Sequence, residues 1–110
     1  MAAIVVEESY LNALKAFGDV DTQINAAVEE YVTRRVIERI KTAREHIAGY
    51  EQTYKMRYPT FSERVVKDGN FYQNTKSENP LWEQDLLAWD YWEKEFQEWN
   101  QTLHTILNKS

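Results

Sequence analysis

The stretch DTQINAAVEEYVTRRVIERIKTAREHIAGY, Asp21 to Tyr50, decides the fold. Ile24, Val28, Tyr31, Val32, Val36, Ile40, Ala43, Ile47 and Tyr50 recur at steps of three and four, the period of a single helix face. Asp21, or Asp19 just before it, can cap the first free amides. At 1.5 Å per residue the helix is about 40 Å long, more than a chain of this size needs to span a globule. One compact monomer cannot bury the whole of such a stripe. A partner chain is implied.

Upstream, Ala2 to Val6 is a short apolar run that suits a strand. Glu7 and Glu8 suit the first turn of a helix, whose positive end they face. Leu11, Leu14 and Phe17 give that helix an apolar side, and Gly18 reads as its stop. Downstream, Gly49 interrupts the long pattern, which Tyr50, Tyr54 and Met56 continue. Pro59 should end or redirect it and push Tyr58 toward an extended conformation. Thr60 then caps a short helix through Phe61, Val65 and Val66. Residues 67–79 are polar, rich in turn formers and without period, which reads as a linker.

Asn79-Pro80 opens the last helix with a cap and a first-turn proline. Trp82, Leu86, Trp89, Trp92, Phe96, Trp99, Leu103 and Ile106 follow at nearly heptad steps. Glu83, Asp85, Asp90, Glu93, Glu95 and Glu98 accompany them. The expected chain is therefore mainly α: a short N-terminal strand, a short helix, a long helix, a linker and a long amphipathic C-terminal helix. Its expected parts are a dimerisation unit over 1–57, a short helix and linker over 58–79, and a partner-binding helix over 80–110.

The composition supports this outline. Aromatic residues make up 14% of the 110, enough to build a core and to exclude a wholly disordered chain. Three glycines and two prolines are too few for the turns of a many-stranded sandwich or barrel. The absence of cysteine removes disulfides, thiolate zinc sites and a cysteine nucleophile. No apolar run approaches a membrane span, and the Met1–Val6 start lacks the basic head of a signal peptide. A membrane-surface helix is disfavoured because the last helix is acidic. The expected location is the cytoplasm.

Catalytic patterns are missing. His46 and His104 lack metal-ligand spacing, and the glycines at 18, 49 and 69 form no phosphate loop. Ser9, Ser62, Ser77 and Ser110 lie outside any nucleophile-elbow pattern. The chain reads as a protein without enzymatic activity, cofactor or metal.

Two resemblances add to this reading. The stretch GDVDTQINAAVEEYV, residues 18–32, resembles the turn and second helix of ribbon-helix-helix proteins. The resemblance implies a dimer formed through paired strands that enter the major groove. Base reading needs donors or acceptors on the strand, and both faces of residues 2–6 are apolar. Dimerisation is thus the leading role of this half. DNA contact through Arg34 and Arg35 is the secondary one.

The second resemblance covers residues 50–106. Tyr54-x-Met56-x-Tyr58-x-x-Phe61, preceded by Tyr50-Glu51 and followed by Arg64-Val65, resembles a segment of TumA-like antitoxins of type II toxin–antitoxin systems. That group carries Tyr-Gly-Met-x-Phe-x-x-Phe, with Lys55 here at the glycine position, followed by a Trp-bearing acidic helix like residues 81–92. The resemblance implies neutralisation of a small, basic, RNA-acting cognate toxin encoded beside it. Its acidic, aromatic helix would compete with phosphate and fill apolar pockets.

The expected partner-binding residues are Trp82, Trp89, Trp92, Phe96, Trp99, Asp85, Asp90 and Glu93. Tyr54, Met56, Tyr58 and Phe61 are expected to pack the hinge. The alternatives are a ribbon-helix-helix-type DNA-binding regulator and a structural helical bundle with every tryptophan inside.

Overall fold

The computed structural model describes residues 5–108 and forms five helices among them. These are α1 (Glu8–Lys15), α2 (Val20–Tyr54), α3 (Tyr58–Lys67), α4 (Gly69–Glu78) and α5 (Trp82–Leu107). The mainly α class is as the periodicity predicts. The expected strand at Ala2–Val6 falls largely outside the described residues. Val5 and Val6 are not in a strand, and Val5 is almost wholly exposed.

The chain divides into two compact units, residues 1–35 and 36–110. The first holds α1 and the opening turns of α2. Gly18 separates them with φ +137°, a conformation L side chains rarely adopt. Asp19 then caps α2 by accepting from Thr22 N at 3.0 Å. The Gln23 side chain closes the turn by donating to Phe17 O at 3.3 Å. No described residue of this unit is buried.

The second unit is built on the rest of α2, whose inner line is Val36, Ala43, Ile47 and Tyr54. Gly49 does not interrupt the helix, which runs through it to Tyr54. Lys55 ends it in the left-handed region, φ 59°, with its N–H bonded to Glu51 O at 2.8 Å. A side chain there is strained by about 1 kcal/mol, against which glycine carries extra unfolded-state entropy. Lys55→Gly should therefore raise unfolding free energy by up to about 1 kcal/mol in urea titration, while Lys55→Val should lower it.

Pro59 sits inside the first turn of α3 rather than breaking the chain ahead of it. Amide groups in that turn have no intrahelical partner, so the missing N–H costs nothing. Tyr58 is thus helical, not extended, and the cap position is Arg57 rather than Thr60. The segment expected to be a linker contains a further helix, α4. Asp68 caps it by accepting from Phe71 N at 3.1 Å, and Thr75 one turn beyond Phe71 is buried. Pro80 lies in the turn before α5, which begins at Trp82. The divisions expected at 57/58 and 79/80 therefore fall inside the second unit.

Candidate functional site

The second unit closes around one side chain. Trp89 of α5 is fully enclosed, and Ile47, Tyr54 and Phe61 complete the buried cluster. Its indole is ringed by Tyr50 at 5.6 Å, Tyr54 at 5.8 Å, Tyr58 edge-on at 5.6 Å and Phe61 at 5.5 Å. Centroid distances in this range are favourable for aromatic pairs. Phe71 extends the cluster edge-on to Phe61 at 5.9 Å, and Met56 packs against it. The Tyr54–Phe61 motif and the tryptophan helix thus make one structure: the motif is the socket and Trp89 the plug.

This placement corrects the reading of Trp89 as a partner-contacting anchor, since a wholly enclosed indole offers a partner no surface. Two acids expected on the partner face are also occupied within the fold. Tyr54 Oη donates to Asp85 Oδ2 at 2.5 Å, and Tyr58 Oη donates to Asp90 Oδ1 at 3.0 Å. Lys94 Nζ holds the other Asp90 oxygen at 2.8 Å. Bonds from Lys94 and Tyr58 hold the Asp90 carboxyl below its usual range. Glu93 is pushed upward, by burial first and then by the neighbouring Glu51 charge. The buried Trp89 N–H favours ionised Glu93 but closes no hydrogen bond.

The tyrosines of the socket make the unit sensitive to alkali. Burial, then Asp85, pushes up Tyr50. Burial, then the bond and charge of Asp85, pushes up Tyr54 much further. Burial, then Asp90, pushes up Tyr58. A tyrosine whose folded value lies above its unfolded one binds its proton more tightly when folded. The stabilisation is complete below the unfolded value near pH 10 and falls as pH rises past it. Urea titrations should therefore show stability declining above about pH 10, with a shallower decline in Tyr54→Phe.

The rest of the seam is partly open. Trp82 meets Tyr72 edge-on at 5.6 Å, and Phe96 lies under Arg44 at 6.0 Å. Trp92 is half-buried between His46, stacked at 4.0 Å and 3°, and the edge of Tyr91 at 5.0 Å. Trp99, two turns on, is also half-buried. Tyr91 is exposed and donates to Glu95 at 2.7 Å, while Glu98 is exposed on the next turn. His46, Tyr91, Trp92, Glu95 and Trp99 thus offer aromatic surface with acidic edges. Sequence periodicity passed over Tyr91 and His46. The i, i+4 spacing of Tyr91 and Glu95 and the position of His46 one residue before Ile47 were the available signals.

Arg34, offered as a nucleic-acid contact, is ion-paired with Glu30 at 3.0 Å on the surface of α2, and Arg35 is exposed beside it. Among the described residues no group of three or more His, Asp or Glu side chains could hold a metal ion. Nor is any described helix long and apolar enough to cross a membrane. No protein-family model, curated protein or solved structure matches this chain.

Proposed function

We propose that this chain is an antitoxin-like protein that binds and neutralises a cognate toxin through the open side of α5. The observation that carries the reading is the division of labour among its tryptophans. Trp89 locks α5 into the socket, and this leaves Trp92 and Trp99 half-exposed beside Tyr91, Glu95 and Glu98. Aromatic anchors at the centre of a patch, with charges at its edge, are the usual make-up of a tight protein interface. The excess of acids over residues 80–110 suits a basic, RNA-acting partner.

The resemblance to TumA-like antitoxins gains support from Lys55. It has φ 59° where that pattern carries glycine, the residue that tolerates this conformation best. In this reading the chain works as a homodimer through its first unit, and no catalytic step is involved. Co-expression of the tagged chain with the product of the neighbouring reading frame tests the proposal. A stoichiometric complex that survives purification is the expected result. Separate elution of two folded proteins would contradict it.

A further inference from the structure

Among the described residues, the first unit leaves an apolar stripe of α2 partly exposed. Val28, Tyr31 and Val32 are 45%, 61% and 38% exposed, and Phe17 is 75% exposed. A short helix and four turns of another, with no buried side chain, lack the packing that holds helices folded in water.

The stripe is symmetric about Val28. Ile24 lies four residues before it and Val32 four after; Asp21 lies seven before and Arg35 seven after. Turned end for end and laid on itself, the segment sets Val28 on Val28, Ile24 on Val32, and Asp21 against Arg35. A parallel arrangement would oppose like charges at both ends.

We infer that this face is covered by a second copy of the chain, packed antiparallel along α2 with Val28 on the two-fold axis. The inference rests on the homodimeric reading above and changes its interface: the copies meet helix to helix over residues 21–35. The strand is not needed to hold them. Dimers of this kind are isologous, so every contact off the axis occurs twice and each substitution is present in both copies.

Sedimentation equilibrium on the full chain and introduction of single cysteines into this cysteine-free sequence test the inference. The wild type should sediment at twice 13.1 kDa. Val28→Glu should raise the dissociation constant roughly a hundredfold while the near-UV signal of the aromatic cluster around Trp89 is kept. Arg35→Asp should raise it roughly tenfold, and adding Asp21→Arg should recover most of the loss. Val28→Cys should form a disulfide dimer on oxidation; Asp21→Cys alone should not. One-chain mass at every concentration overturns both the interface and the homodimeric reading. A dimer indifferent to Val28→Glu overturns the interface alone. Disulfide formation by both single-cysteine variants overturns the antiparallel order.

Discussion

Trp89→Ala should destabilise the protein by about 3–5 kcal/mol, the range for deleting a large aromatic from a packed core. The indole fills the space between α2, α3 and α5, and four aromatic rings lose their central neighbour when it goes. Collapse into the cavity is resisted, because the Tyr54 and Tyr58 hydroxyls are tied to Asp85 and Asp90 on the flanking turns of α5. Trp89→Phe keeps most of the volume and needs no partner for a ring N–H, so it should cost less than half as much. Urea titration followed by circular dichroism reads both. Unaltered stability in Trp89→Ala would show that the socket does not hold this unit together.

Trp92→Ala should act on a different quantity. Its ring is half-buried, packed on His46 and on the edge of the Trp89 cluster, so its removal should cost roughly 1 kcal/mol of stability. Toxin affinity should fall by about 2–4 kcal/mol, some thirty- to a thousandfold, as expected for a central aromatic anchor. Calorimetric titration of the toxin with the variant separates the two effects. Equal losses in both quantities would make Trp92 a core residue and leave the α5 surface without an anchor.

The contrast between these residues marks what the sequence can and cannot say. Steps of three and four place Trp89 and Trp92 on one seam, and periodicity treats them alike. What separates them is the partner across the seam. Trp89 meets the Tyr54–Phe61 motif; Trp92 lies at the edge of that cluster, stacked on His46. That difference is tertiary and invisible to a helical wheel. The motif was legible as residues that pack together, but what they pack on was not.

The segment 67–79 failed for another reason. With only Phe71 and Tyr72 as large apolar residues, α4 has no stripe to detect. Its clues are local: Asp68 at a capping position, and Phe71 and Thr75 spaced one turn apart. The proline at 59 has the look of a breaker, yet in the first turn of a helix it breaks nothing. Helix α2 was read nearly whole because its signal is long. The same length predicted that part of its stripe would lie open, and over residues 20–35 it does.

The most direct test of the account is growth of cells carrying the neighbouring reading frame under an inducible promoter. Induction alone should arrest growth, and the wild-type chain expressed in trans should restore it. The Trp92→Ala, Trp99→Ala double variant, checked for its helical signal, should fail to do so. Rescue by that variant at wild-type level, or a neighbouring product that does not impair growth, would contradict a toxin-neutralising surface on α5.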